Sequence, residues 1–186
     1  MNRMMVAVAG IGLAVAMPCG AAVPGVTETS FTAPDGTRTL QHTAVIAAPV
    51  AILWRAFTDT QEFQRWSAPV AAIDLRTGGS LEASYDPKVK LGERDTIRHR
   101  IVTYLPEKLV VFQNIQAPTG LKDGDLLAQT VTIIQYEPLG PASTRVTISS
   151  TGWKDTPVWK RLYAFFQGGN AQTLGQMKKV YEAKAK

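Results

Sequence analysis

The side chains best suited to proton transfer near neutral pH are two histidines, His42 and His99. His99 alternates with Ile97 and Ile101 and so shares an apolar face. There it can donate to a ligand oxygen, act as a general base, or sit as a satisfied core histidine. His42 belongs to a different apolar–polar run, and two histidines on separate strands without cysteine make no recognisable metal set. The acid pairs Glu93/Asp95 and Asp123/Asp125 each sit two apart, but neither has a histidine or a further carboxylate at useful spacing. Asp123-Gly124-Asp125 lacks the other oxygen ligands of a calcium loop, so both pairs read as solvated loop charges. There is no G-x-S-x-G, no P-loop and no H-E-x-x-H, and a serine nucleophile would have no partner. No metal and no cofactor are expected. What remains is a set of large side chains, Trp66, Tyr85, Phe112, Phe165 and Phe166, that either line a pocket or fill a core. Gly168-Gly169 lies in a helical pattern, where each glycine costs about 1 kcal/mol relative to alanine. A kink or a close approach at a cavity wall would offset that cost.

The elements that position these residues begin after a distinct N-terminal stretch. Arg3 precedes an apolar run from Met4 to Met17, too short to span a bilayer comfortably, and Gly20-Ala21-Ala22 resembles a cleavage site. Residues 1–22 therefore read as a secretory signal, with a lipidated Cys19 as an alternative that Pro18 disfavours. Cleavage after Ala22 would leave no cysteine, removing disulfides and thiol chemistry. Periplasmic or secreted location follows as an expectation, with no transmembrane segment once the signal is gone. The net charge of +5 and pI of about 9.4 do not argue for nucleic acid, because the basic residues are scattered among acids.

Residues 23–36 carry Pro24, Gly25, Pro34, Asp35 and Gly36 and read as a loose arm ending in a turn. Thr37 to Ile46 is a first strand. Pro49 opens a helix through Phe57, and Asp59 followed by Glu62 caps a second short helix from Thr60 to Trp66. The period then becomes two. Leu81, Ala83 and Tyr85 share one face, as do Ile97, His99, Ile101 and Thr103, while the inward face of Leu109 to Asn114 is ambiguous. Further strands start at Val131–Ile133 and Val146–Ser150, and turn residues separate them all, which means an antiparallel meander. From Pro157 to Lys184 one long amphipathic helix closes the chain, so the class is α+β with a single domain over residues 37–186.

The run Ala48-Pro49-Val50-Ala51-Ile52-Leu53-Trp54-Arg55-Ala56-Phe57-Thr58-Asp59, with Phe63-Gln64-Arg65-Trp66, resembles the opening of the SRPBCC (START-like, Bet v 1-like) superfamily. Asp74 to Gly79, Pro106-Glu107-Lys108-Leu109-Val110 and Ser150-Thr151-Gly152-Trp153 are similar to segments of its Hsp90-ATPase-activator-homologue branch. The resemblance implies a helix-grip fold, a curved antiparallel sheet wrapped around the long C-terminal helix, with a cavity between them that takes apolar molecules in relatives. Asn170 departs from the family, which often carries an aromatic there, so the ligand is not inherited.

These observations lead to an exported carrier of a small hydrophobic molecule, lipid-, sterol- or quinone-like, in a cavity of roughly 300–1,000 Å³. Its expected lining is Trp66, Tyr85, His99, Ile101, Phe112, Ile133, Ile148, Phe165 and Asn170, with 119–125 and 153–156 as gates. A cyclase- or hydratase-type enzyme using His99 and an envelope protein-interaction module are the alternatives.

Overall fold

A computed structural model describes residues 22–183; the proposed signal lies almost wholly outside them. Nine strands form one antiparallel sheet in the order β1-β3-β9-β8-β7-β6-β5-β4, with β2 also paired to β3. They are β1 (Val26–Glu28), β2 (Phe31–Thr32), β3 (Arg38–Ile46), β4 (Val70–Ile73), β5 (Ser80–Ser84), β6 (Ile97–Leu105), β7 (Leu109–Gln116), β8 (Val131–Gly140) and β9 (Ser143–Trp153). Helices α1 (Val50–Thr58) and α2 (Thr60–Trp66) follow β3, and α3 (Pro157–Glu182) ends the chain. This is the helix-grip arrangement.

Local chemistry explains most boundaries. Pro49 stands at the N-cap of α1 in an extended conformation and cannot donate a backbone hydrogen bond to an earlier turn. Asp59 caps α2, its Oδ1 accepting from the Glu62 backbone N–H at 2.8 Å, and Glu62 also favours the helix's positive end. Thr156 precedes α3, with proline at its first turn.

Three expectations are corrected. The 23–36 segment is not a loose arm: β1 and β2 pair along β3, and Val23 and Gly25 approach α3 at Gly175 and Lys178. The sequence offered only short runs there, and the long β3 edge completes them. Thr103 does not continue the face of Ile97, His99 and Ile101, because the β6–β7 register shifts between Ile101 and Thr103. That bulge turns Tyr104 inward instead, 6.3 Å from the Trp54 ring. Finally, Gly168 is exposed and a Cβ there would meet nothing within 4 Å, so it marks no close approach. The helix runs uninterrupted through it. Gly168→Ala is therefore expected to stabilise the protein by about 0.5–1 kcal/mol. Thermal denaturation should show a rise of roughly 1–4 °C, and an unchanged or lower midpoint would contradict the open setting.

Two apolar clusters hold the helix to the sheet. The larger joins α1, α2 and the second half of α3 to the strands through Leu53, Phe57, Phe63, Trp66, Leu174 and Met177. The Tyr181 hydroxyl donates to Glu62 Oε1 at 2.7 Å and locks α3 to α2. The smaller joins the first half of α3 to Leu40, Ala117, Leu127 and Trp153 through Trp159 and Leu162.

His42 lies on the inner face of β3, 3% exposed, and its Nδ1 has no hydrogen-bond partner among the described residues. Burial lowers its pKa below the ordinary 6.5, opposed only by the charge of Glu28. The unfolded chain takes up this proton near 6.5 and the folded protein only at lower pH, so stability is complete above that value and falls as pH drops below it. Chemical denaturation between pH 7.5 and 5.5 should show this decline, and His42→Asn should flatten it. Equal slopes in both proteins would exclude His42 as the source.

Candidate functional site

The narrow space between the two clusters is the cleft expected of this architecture. Its floor comes from four adjacent strands: Ile97 and His99 on β6, Asn114 on β7, Thr132 on β8, and Ile148 and Ser150 on β9. His99 and Asn114 are direct cross-strand partners, and Thr132 and Ser150 form a second pair two residues further along, level with Phe112, so the polar groups lie on the floor as two offset pairs. Phe166, Asn170 and Thr173, four and three residues apart on α3, face it. Ala117, Pro118, Leu121, Leu127 and Thr130, from the segment after β7, roof it together with Trp153.

Trp153 faces inward because of a backbone irregularity. The β3–β9 register pairs Leu40 with Ser150 but Arg38 with Trp153, so β9 carries an extra residue at Thr151–Gly152. Gly152 sits at φ +94°, which swings the next side chain into the molecule. Trp153 then donates from Nε1 to Ser150 O at 3.0 Å and meets Trp159, Tyr163 and Phe166 at ring distances of 6.0, 5.3 and 5.9 Å.

The roof is strapped down from outside. Arg94 donates to Ala117 O and faces Asp125 at 3.5 Å. Asp95 Oδ1 accepts from the Thr119 backbone N–H at 3.0 Å and from its hydroxyl, bonds that hold the Asp95 carboxyl below the usual aspartate range. Arg161 of α3 pairs with Asp123, and Lys154 with Gln129. These groups are largely exposed, where an ion pair is worth about 0–1 kcal/mol. The straps define the roof's position without making its opening prohibitive.

The enclosed volume is only about 30 Å³, room for one or two waters rather than the roughly 300–1,000 Å³ expected. Trp153, Phe166, Leu121 and Leu127 fill the space that composition alone left undecided. A wider depression of about 300 Å³ lies outside the sheet between Lys108, Gln135, Glu137, Arg145 and Thr147, but it is open to solvent and crossed by the Arg145–Glu137 ion pair.

Of the nine residues singled out from sequence, the structure brings His99, Ile148 and Asn170 into the cleft. Ile101 and Phe112 are fully buried in the larger cluster, with the Phe112 ring 6.0 Å from His99. Trp66 packs on Phe57 and Phe63 and spends its Nε1–H on Ala56 O at 2.7 Å, so it belongs to the α1–α2 core. Tyr85 packs half-buried against the same core. Phe165 meets the Phe166 ring edge-on at 5.3 Å without joining the lining. Ile133 lies on the outer face, because β8 buries Ile134 and Tyr136 and puts Thr132 into the cleft. Asn114, Thr132, Ser150 and Thr173 were missed as lining residues. Asn114 alternates with buried Val110 and Phe112, and Ser150 with buried Val146 and Ile148; these signals could have found two members of the set.

Among the described residues no group of three or more His, Cys, Asp or Glu is placed to hold a metal. None of the described helices is long and apolar enough to cross a membrane.

Sheet, gripped helix and intervening cleft define a START-like helix-grip protein. The chain belongs to the family described as Activator of Hsp90 ATPase homolog 1-like protein, whose model matches residues 47–182. No curated protein matches it in sequence. Similar solved structures include a protein from Mycobacterium smegmatis at 20% identity and TM-score 0.59, covering 86% of this chain and 99% of that one. The Aha1 dimer from Colwellia psychrerythraea gives 16% identity and TM-score 0.59, covering 77% and 96%. A conserved protein of unknown function from Enterococcus faecalis gives 18% and 0.57, covering 86% and 79%. At these identities the likeness is one of fold.

Proposed function

We propose that this protein is an exported carrier that takes a small, largely apolar molecule into the cleft between sheet and α3. The observation that carries this reading is the cleft's construction. Both walls are rigid elements, while the roof is a separate segment seated on the smaller apolar cluster through Ala117 and Leu127 and strapped outside by exposed ion pairs, so a ligand that replaces those apolar contacts is able to lift it. Lifting it exposes Leu121, Leu127, Trp153 and Phe166, whose burial against a ligand contributes about 25 cal/mol per Å². Export is supported by the apolar run before Ala22, and by the seating of Val23 over Gly175 of α3, which lets a chain starting there begin already docked.

The test is native mass spectrometry of the protein purified from its own host, with N-terminal sequencing. A discrete small-molecule mass lost on denaturation, from a chain beginning at Val23, is the expected result. An apo mass with no uptake of an apolar dye would end the carrier reading. Full-length protein in the cytoplasm would end the export reading and favour a role as an Hsp90-directed interaction module, which the family description suggests. The adjacency of His99 and Asn114 in the cleft favours cyclase- or hydratase-type chemistry as second reading. There, His99→Ala would abolish turnover while leaving ligand affinity unchanged.

A further inference from the structure

We infer that the cleft selects an uncharged, flat ring compound with a hydrogen-bonding oxygen or nitrogen on one edge, and rejects fatty acids and phospholipid headgroups. The inference rests on the carrier reading and narrows it by ligand chemistry.

The first ground is charge. Among the described residues no lysine, arginine, aspartate or glutamate lines the cleft; Arg94, Asp95, Asp123 and Arg161 strap the roof from its solvent side. A carboxylate or phosphate buried here would meet no permanently charged partner, His99 being the titratable side chain in the lining, and burying an unpaired ion is prohibitive.

The second ground is an uneven use of hydrogen-bonding capacity. Three of the hydroxyls already have a partner: Thr130 donates to Leu127 O at 2.8 Å and Thr173 to Gly169 O at 2.9 Å, while Ser150 Oγ accepts from the Trp153 Nε1–H at 3.2 Å. Three are open. Asn114 makes one long bond, Nδ2 to Gln116 O at 3.3 Å, and keeps a second donor and its carbonyl. The Thr132 hydroxyl and the Asn170 carboxamide make no hydrogen bond to the protein among the described residues. These groups come from β7, β8 and α3, so they converge from both walls. A pure hydrocarbon would strip them of water and return nothing, at roughly tenfold in affinity per group. A hydroxyl, carbonyl or amide edge restores those bonds.

The third ground is shape. With about 30 Å³ enclosed, the ligand must part α3 and the roof from the sheet. A ring one atom thick needs the smallest parting, about 3.5–4 Å of new separation. It would lie against Phe166 and Trp153, whose rings meet at 5.9 Å.

The test is a matched series on one ring: NMR titration of the protein with 2-naphthol, naphthalene and 2-naphthoate at pH 7.5, with the neutral dye Nile red as a general probe. The expected order is 2-naphthol at least tenfold tighter than naphthalene, with 2-naphthoate weakest. Asn114→Leu combined with Asn170→Leu should erase the preference for 2-naphthol without weakening naphthalene. Thr132→Val, nearly isosteric, should reduce that preference at least threefold even where the double variant fails to fold. Equal affinities for 2-naphthol and naphthalene, or tightest binding of 2-naphthoate, would overturn the inference while Nile red uptake leaves the carrier reading standing. Silence from all four probes would end both.

Discussion

Replacing Trp153 with alanine is expected to cost about 3–5 kcal/mol, the range for removing a buried large aromatic side chain, while opening the cleft. The residue is 7% exposed and is the hub of the smaller apolar cluster, in edge contact with Trp159 and Tyr163 and tilted against Phe166. Its loss leaves a cavity continuous with the cleft and frees Ser150 O from the indole bond. Urea denaturation should report the stability loss and Nile red fluorescence the enlarged cleft, which should bind dye more tightly than the parent. A loss below about 1 kcal/mol would mean that the ring contributes little packing. A large loss without dye uptake would mean that the roof collapses into the gap.

Gly152→Ala is expected to cost about 3 kcal/mol by a different route. At φ +94° an L side chain is strained by roughly 1–3 kcal/mol. The new Cβ would also collide with the Gln129 carbonyl oxygen and lie 3.1 Å from Thr130 Cα, both backbone atoms. Backbone at this junction yields only by moving the end of the roof away from β9, adding a further 1–3 kcal/mol of overpacking. The strand bulge that aims Trp153 inward would distort with it. Near-UV circular dichroism should change alongside stability, and amide exchange should accelerate across Gly124–Gln129. Exchange confined to parent rates, with the same midpoint, would show that the bulge tolerates a side chain.

Both effects arise at a segment that the resemblance picked out but whose side-chain directions no local period sets, and the division has a physical basis. The sequence determined whatever depends on neighbours a few residues away. Asp59 and Glu62 cap α2 through a contact three residues long, Leu81 and Ala83 alternate inward on β5, and the apolar stripe of α3 persists from Leu162 to Tyr181. The antiparallel class, the long gripped helix and the absence of a cysteine or carboxylate motif were legible for that reason, and the family resemblance over the α1–α2 segment supplied the topology.

Tertiary structure decided which face of a strand looks inward once its period is broken. One bulge between Ile101 and Thr103 exchanges Thr103 for Tyr104, another at Gly152 turns Trp153 inward, and β8 presents Thr132 rather than Ile133 to the cleft. Because side chains alternate with period two, a single extra residue reverses every assignment beyond it. Long-range pairing also settled the fate of 23–36, whose short strands exist because the β3 edge is there to receive them. It settled the cleft as well: whether Phe166, Leu121 and Leu127 leave a space or fill it depends on how closely three separate elements approach, a distance that no local pattern encodes.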